Sequence, residues 1–255
     1  MNKSIKEIAD TLDRAALNSN TTQQVSLGQT ISLEDSYKIQ QLSLDNRYAR
    51  GEKLTGYKLG FTSKAKMEQM GVHDIIWGRL TDAMQYQSGQ ALPSHKFIHP
   101  RVEPEIAFLI GKRIDRAITL DEATDFLQGV GSALEVIDSR YENFKFSLED
   151  VIADNCSSSA YAVGDWMPPS TDVNHLAIEL KINGETRQTG SSNAILDNPL
   201  ASLVEISKLL HQNGIALEEG SVILAGAATS AEFIHPGDMI EGHFAGLSTV
   251  HLSVE

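Results

Sequence analysis

Cysteine is nearly absent from this chain, and so are the hallmarks of several large protein classes. The single cysteine, Cys156, excludes an internal disulfide and a cysteine-only zinc site, and it favours a reducing compartment. No apolar run reaches the roughly 18 residues that a membrane span needs, and the N-terminal segment alternates charged with apolar residues, unlike a secretion signal. We therefore expect a cytoplasmic protein that does not enter a membrane.

Basic residues are in deficit. The 255 residues include 21 Lys and Arg against 34 Asp and Glu, which gives a formal net charge of −13 at pH 7. Such a chain repels nucleic-acid phosphates and anionic lipid surfaces, and no local basic stripe offsets the repulsion. With 41% hydrophobic and 22% charged residues, the composition is that of a globular protein. We expect neither a nucleic-acid partner nor a membrane partner.

Several catalytic motifs are also missing. The chain has no Gly-rich dinucleotide fingerprint, no phosphate-binding P-loop and no Gly-x-Ser-x-Gly elbow. Its eight histidines are scattered, and none forms a zinc-binding helix pair. Cys156 has no recognisable nucleophile signature, so we interpret it as a small buried residue. Nucleotide cofactors, serine hydrolysis and zinc chemistry are therefore not indicated.

Apolar periodicity predicts helices first and strands afterwards. Residues 1–50 show helical spacing, with a second helix opening near Ser32 and closing at Gly51. A Thr119–Glu122 capping box predicts a helix ending near residue 129, and Asn198-Pro199 opens another that ends at Gly214. Strands are predicted at residues 105–110, 133–137, 176–182, 221–225 and, as one or two closing strands, 239–254.

These elements favour an α+β fold, because long helices do not alternate with parallel strands throughout the chain. The pattern of apolar residues changes at Leu54, where short apolar runs separated by Gly, Pro and His begin. We therefore divide the chain into a helical N-terminal region, residues 1–53, and a β-rich catalytic domain, residues 54–255. The two parts are expected to act as a single functional unit.

Paired glutamates give the strongest chemical signal. Glu103 and Glu105 are two residues apart on a predicted strand and so point to one face, among residues that favour burial. Buried like charges need a cation between them, and Mg²⁺ or Mn²⁺ takes oxygen ligands. Glu135 lies inside another apolar strand and would complete a three-carboxylate site. The alternatives are a solvated strand face for the pair, and an ion pair with Arg101 or Arg140 for Glu135.

Two further segments carry candidate functional residues. Lys58 lies between glycines in an apolar strand, where it would reach a pocket to bind a carboxylate or act as an acid; the alternative is a surface lysine. Asp154 and Asn155 precede a run of small polar residues that includes Ser157, and such a run suits close approach to a ligand. The alternative for this second segment is a strand end with an Asx turn.

Motifs spread along the chain resemble the hydratase/decarboxylase branch of the fumarylacetoacetate hydrolase superfamily. From about Leu33 to Val254 the order of segments matches that branch: TGYKLGFTSKAKMEQMG, HPRVEPEIAF, ALEVIDSRYENFKF, VIADN and HPGDMIEGHFAGLSTV. The resemblance implies a mixed β-sandwich roll with a helical N-terminal region. It also implies Mg²⁺, or Mn²⁺, held by Glu103, Glu105 and Glu135, with Lys58 as the active-site lysine.

The resemblance implies a lyase of meta-cleavage pathways that degrade aromatic compounds. We expect decarboxylation of 4-oxalocrotonate (2-oxo-3-hexenedioate), because SRYENFKF resembles the decarboxylases and Ile76-Trp77-Gly78 replaces the Asp-Tyr-Gly frequent in hydratases. The alternative is hydration of 2-oxopent-4-enoate, and a third reading is a non-catalytic partner or binding protein. A small 2-oxo acid substrate, a homo-oligomer and a complex with the pathway hydratase are also expected. Ser191-Ser192 departs from a stretch usually rich in Gly and Ala.

Overall fold

The computed structural model describes residues 3–63 and 75–255, so residues 64–71 of the TGYKLGFTSKAKMEQMG motif lie outside the described residues. The α-helices in these ranges are α1 (Ile5–Leu17), α2 (Leu33–Ala49), α3 (Leu148–Ala153) and α4 (Leu200–Gln212). The strands are β1 (Leu54–Gly60), β2 (Ile76–Thr81), β3 (Gln85–Gln87), β4 (Ala91–Leu92), β5 (Arg101–Ile110), β6 (Leu127–Ile137), β7 (Ser158–Val163), β8 (Ala177–Ile182), β9 (Glu185–Ser191), β10 (Val222–Ala227), β11 (Glu232–Phe233), β12 (Met239–Phe244) and β13 (Val250–Val254).

The strands form two mixed sheets. The larger sheet has the order β2-β1-β10-β5-β6-β7-β3, with β11 beside β5, and the smaller has the order β4-β13-β12-β8-β9. Most pairs are antiparallel, but β1 runs parallel to β10, β3 to β7 and β4 to β13. Apolar side chains from both sheets, including Leu134, Leu180 and Leu252, form the core between them.

The larger sheet curls around an apolar interior. One buried cluster takes side chains from β2, β10, β5, β6 and β7, among them Leu80, Ala107 and Tyr161. The curl brings β1 close to β7, where Thr55 Oγ1 and Tyr161 OH lie 2.9 Å apart. This curled sheet packed against a second sheet is the predicted β-sandwich roll.

The N-terminal helices pack against the end of the roll. Ser4 and Ser32 cap α1 and α2 as hydrogen-bond acceptors. The buried amide of Gln40 on α2 donates to the carbonyls of Trp77 and Ile152, and its oxygen accepts from Arg79. A single side chain thereby joins α2 to β2 and α3. Strand β1 starts at Leu54, and the division into residues 1–53 and 54–255 stays a prediction.

The helix predicted from Thr119 to Gly129 is wrong. The capping hydrogen bonds exist, since the Thr119 backbone N–H and hydroxyl both donate to Glu122. They close a turn that leads only into a short 3₁₀-helix, Ala123–Phe126, and β6 follows at once. The pairing of β6 with β5 overrides the local signal, because ten residue pairs of that ladder bury both strands. The other predicted helices and strands are present, with β5 and β6 longer than expected.

Candidate active site

Three glutamates converge on one face of the curled sheet. Glu103 on β5 is the direct cross-strand neighbour of Glu135 on β6, and Glu105 lies two residues further along β5 on the same face. One carboxylate oxygen from each lies within 4.8 Å of the others. All three side chains are buried, so the alternative of a solvated strand face is wrong. Like charges placed directly opposite each other on a ladder destabilise a sheet, which makes this arrangement costly without a cation.

Burial and mutual repulsion control the protonation of this cluster. Burial, followed by the charges of Glu135 and Glu103, raises the pKa of Glu105 well above its ordinary value. Burial also raises the pKa of Glu135 to about 6, although the nearby charge of Lys58 acts in the opposite direction. The cluster is therefore driven to retain a proton unless a cation replaces it.

Lys58 lies beside the glutamates. It is buried on β1, with Nζ 3.0 Å from Glu135 Oε2, and it donates to the Cys156 carbonyl at 3.3 Å. Burial alone would lower the pKa of Lys58, but the charges of Glu135 and Glu103 outweigh it and raise that pKa above the ordinary value. Lys58 is therefore a fixed cation, and the alternative of a surface lysine is wrong. The partner of Glu135 is this lysine rather than Arg101 or Arg140.

The carboxylate oxygens that remain fit a hard divalent cation. Glu105 Oε2 accepts a hydrogen bond from the Gly226 backbone N–H at 2.7 Å, whereas Glu105 Oε1 and Glu135 Oε1 have no hydrogen-bond partner among the described residues. Buried oxygens without partners are expensive unless something else binds them. Among the described residues of this cluster, three ionised carboxylates and the Lys58 ammonium carry a net charge of −2, which one divalent ion neutralises. Oxygen-only ligands are typical of Mg²⁺ and Mn²⁺.

A strained segment borders Lys58. Asn155, Cys156 and Ser157 have φ values of 51°, 52° and 58°, in the left-handed region that non-glycine residues seldom adopt. Each such residue costs on the order of 1–3 kcal/mol, and such strain concentrates at functional sites. Here it directs the Cys156 carbonyl to Lys58 and leaves the buried Ser157 hydroxyl without a partner among the described residues.

The structure separates the three predicted substrate contacts. Ser157 lines the cavity that contains Lys58 and Glu103, but Asp154 and Asn155 do not. Asp154 forms a buried ion pair with Arg140, and Asn155 exchanges hydrogen bonds with the backbone of Arg79. Their side chains therefore hold the strained segment in place, and substrate contact by either one stays an untested prediction.

The cavity beside the glutamates has a volume of about 590 Å³, within the range of small-molecule sites. Its polar lining includes Lys58, Arg101, Glu103 and Ser157. The remaining wall is largely carbon, contributed by Phe61, Ile76, Ile137, Phe144, Phe146 and Val151. This combination suits a ligand with charged groups on an unsaturated carbon chain. Ser192 does not line the cavity, because its hydroxyl accepts from the Leu176 N–H.

A larger cavity of about 760 Å³ lies at the other end of the same strands, lined by residues such as Thr55, Leu109 and Val222. Its acidic residues, including Asp165 and Glu218, belong to no group with metal-ligand spacing among the described residues. The smaller cavity is therefore the better candidate, because it adjoins the charged cluster.

Two contributors to the site escaped sequence reasoning. The N–H that binds Glu105 comes from Gly226, at an irregularity in the pairing of β10 with β5. Arg101 lines the cavity, whereas the sequence suggests it only as an ion-pair partner for Glu135. The available signal was its position two residues before Glu103, which places the two side chains on one face of β5.

Comparison with known proteins agrees with the fold. The family model described as fumarylacetoacetate (FAA) hydrolase, C-terminal, matches residues 64–255. The chain belongs to the fumarylacetoacetate hydrolase family. The predicted α+β fold and family are therefore confirmed. Among the described residues of this family member, no helix combines the length and apolar character needed to cross a bilayer.

Decarboxylases and hydratases are both among the relatives with high sequence identity to this chain. A 4-oxalocrotonate decarboxylase of Pseudomonas sp. is 45% identical over 98% of this chain and 97% of its own length. A 2-hydroxypent-2,4-dienoate hydratase of Pseudomonas putida is 37% identical over 83% of this chain and 98% of its own length. The structure of 4-oxalocrotonate decarboxylase from Pseudomonas putida G7, complexed with magnesium and adipate, superposes with a TM-score of 0.95 at 32% identity and covers 98% of this chain and 97% of that chain.

Proposed function

We propose that this protein is a carboxy-lyase that decarboxylates 4-oxalocrotonate to 2-hydroxypenta-2,4-dienoate and CO₂, with Mg²⁺ as cofactor and Mn²⁺ as an alternative. The observation that carries the choice of reaction is the 45% identity to a decarboxylase over nearly the full length of both chains. The charged cluster beside an apolar cavity supplies the chemistry that such a reaction needs. The reaction belongs to the breakdown of aromatic compounds.

Glu103, Glu105 and Glu135 would hold the cation, because their buried oxygens converge, and because Glu105 Oε1 and Glu135 Oε1 have no hydrogen-bond partner among the described residues. A divalent ion there stabilises negative charge developing on the C2 oxygen of a bound 2-oxo acid. In the reaction the C5–C6 bond breaks and CO₂ leaves. The electron pair of the C5–C6 bond forms the C4=C5 double bond, and negative charge moves through the conjugated chain to the C2 oxygen. The C2 oxygen then takes up a proton.

Lys58 adds a second fixed positive charge. Its ammonium is paired with Glu135 and held by the Cys156 carbonyl, so it is already oriented before substrate arrives. Because its pKa is raised, it acts more readily by neutralising carboxylate charge than by giving up its proton. Ser157 offers a hydroxyl that could donate to the substrate from the cavity wall.

The apolar wall favours loss of CO₂ over addition of water. Ile76 is buried and lines the cavity. The resemblance implies that it stands in place of the aspartate of the hydratases' Asp-Tyr-Gly, which is proposed to help deliver water. An isoleucine cannot orient water, and it excludes water from the neighbouring carbon chain. Phe144 and Phe146, from the segment that resembles the decarboxylases, extend the same wall.

Hydration of 2-oxopent-4-enoate is the second candidate. It is favoured by the 37% identity to a hydratase that matches along 98% of its own length. Both reactions use the C2 oxygen to accept electrons, so the glutamate cluster serves either one. The side chains that face C4 and C5 decide between them.

Incubating the purified protein and Mg²⁺ with each compound separately tests the proposal. We expect CO₂ release and loss of ultraviolet absorbance with 4-oxalocrotonate, and no hydration of 2-oxopent-4-enoate. Hydration without CO₂ release would assign the hydratase reaction instead. If neither compound reacts, the affinity of Glu105→Gln for the same compounds tests whether the protein is a binding protein. A binding protein that needs no metal would keep its ligand affinity in that variant.

We further propose that the protein is cytoplasmic, forms a homo-oligomer and associates with the pathway hydratase. The association is expected from the resemblance to the decarboxylases. Light scattering should give a mass at least twice the 27.8 kDa of one chain. Co-expression with the hydratase should yield one co-eluting complex, and separate elution would remove the hydratase partnership.

A further inference from the structure

An arginine at the cavity is held between two aromatic rings. The guanidinium carbon of Arg101 lies 4.3 Å from the ring centre of Phe144 and 4.1 Å from that of Phe233. These two cation–π contacts restrict the movement of the guanidinium while using none of its N–H groups, which stay available for hydrogen bonding. Arg101 lines the same cavity as Lys58 and Glu103.

Among the described residues, the Arg101 side chain differs from those of the nearby Arg140 and Arg79 in having neither an ion-pair partner nor a hydrogen-bond partner. Arg140 is paired with Asp154, and Arg79 donates to Gln40. Within residues 3–63 and 75–255 no acidic side chain forms an ion pair with Arg101, and its buried Nε has no hydrogen-bond partner. The carboxylates of Glu103 and Glu232 act on it only at longer range. A guanidinium held rigidly in this way is typical of a carboxylate-binding site.

We propose that Arg101 binds the distal carboxylate of a dicarboxylate substrate and so selects dicarboxylic over monocarboxylic 2-oxo acids. This inference rests on the proposed function, which places the 2-oxo acid end of the substrate at the glutamate cluster. Arg101 precedes Glu103 by two residues on an extended strand, a separation of about 7 Å along β5. That separation is on the scale of a six-carbon dicarboxylate.

The chemistry predicts how strongly a substitution of Arg101 affects KM and how strongly it affects kcat. The carboxylate that Arg101 contacts is the one that leaves as neutral CO₂, so the contact weakens as the C5–C6 bond breaks. Such a contact stabilises bound substrate at least as much as the transition state. Its loss should raise KM for 4-oxalocrotonate at least 10-fold and change kcat less than 3-fold.

The deciding experiment compares adipate with hexanoate by calorimetry on the Mg²⁺-loaded full-length protein. The two compounds have six carbons each and differ in the distal carboxylate, and neither has the 2-oxo group required for reaction. We expect the wild type to bind adipate at least 10-fold more tightly than hexanoate. Arg101→Met should lose that preference while binding hexanoate as the wild type does. Arg187→Met, which changes an exposed arginine on β9, is the matched control and should keep it.

Three outcomes would overturn the assignment: no preference for adipate in the wild type, a preference that persists in Arg101→Met, or equal weakening of both ligands, which indicates a structural role. Should Arg101→Met fail to fold, Arg101→Lys keeps the charge but loses the planar edge, and it should retain only part of the preference. Failure of the proposed function looks different, because adipate would still be preferred while 4-oxalocrotonate released no CO₂.

Discussion

At the scale of single residues, Glu135 offers the most direct test of the metal site. Glu135→Gln, or equally Glu103→Gln, removes one anionic ligand while keeping the shape of the side chain, so Mg²⁺-dependent turnover should fall at least about 100-fold. The fold should persist, because the substitution relieves repulsion among the glutamates, and Lys58 keeps the negative charges of the remaining two nearby. Circular dichroism and turnover check both points, with the exposed Glu185→Gln as control. Wild-type activity that survives EDTA would contradict the metal role.

The raised pKa of Glu135 predicts how the metal-free protein responds to pH. Its pKa is about 6 in the folded protein against an ordinary 4.5. A raised carboxyl pKa gives stability that is complete below about pH 4.5 and is lost as pH rises through 6, by about 2 kcal/mol in total. Mg²⁺ competes with the same proton, so its affinity should rise over this range.

Urea unfolding with EDTA at pH 5 and pH 7 measures this effect. The difference in stability between wild type and Glu135→Gln isolates the contribution of the Glu135 carboxyl, because the contributions of the other titratable groups are largely the same in both proteins. We expect the wild type to lose stability relative to the variant between the two pH values. A relative gain would show that Glu135 is not held in a proton-retaining environment.

At the scale of elements, the irregular pairing of β10 with β5 supports one of the carboxylates. Gly226 has φ of +108°, and a Cβ there would lie 2.0 Å from Thr62 Oγ1. Gly226→Ala should therefore cost about 2–4 kcal/mol of stability and weaken Mg²⁺ binding, because the N–H that holds Glu105 must move. Gly237→Ala, with φ of +91° but open space around it, isolates the backbone cost. Thermal unfolding and calorimetry should separate the two variants, and equal metal affinity in both would remove this role of Gly226.

The elements also show where sequence reasoning succeeds. Alternation along one strand predicts that Glu103 and Glu105 share a face, and that depends only on neighbouring residues. The helix expected at residues 119–129 fails because its capping signal is local, whereas β6 is stabilised by pairing with the distant β5. The Gly226 N–H could not be predicted, since it depends on a register shift between strands far apart in sequence.

At the scale of the whole molecule, cation binding and folding should be linked. The glutamates belong to the central strands β5 and β6, so an unfolded chain has no preformed site and Mg²⁺ favours the native state. Saturation at 100 times Kd should add about 2.7 kcal/mol. Differential scanning calorimetry with and without Mg²⁺ measures the gain, and Glu105→Gln should lose most of it. An equal shift in that variant would place the ion elsewhere.

The overall architecture followed from the sequence more completely than the cavity did. The apolar periodicity predicts helices in the N-terminal part of the chain and strands after it, and the motifs indicate the family. The cavity wall joins Phe61, which follows β1, to Phe144 and Val151 in the connection between β6 and β7, and only tertiary packing brings these distant segments together. Arg101 was misjudged for the same reason, because its aromatic neighbour Phe233 lies more than a hundred residues away.

The direct opposition of Glu103 and Glu135 has a consequence for biosynthesis. Once β5 and β6 are hydrogen-bonded, their acidic groups are forced together, so the new protein reaches its native form carrying a repulsion that proton or metal must quench. Cells starved of magnesium should therefore accumulate this polypeptide in a more protease-sensitive state.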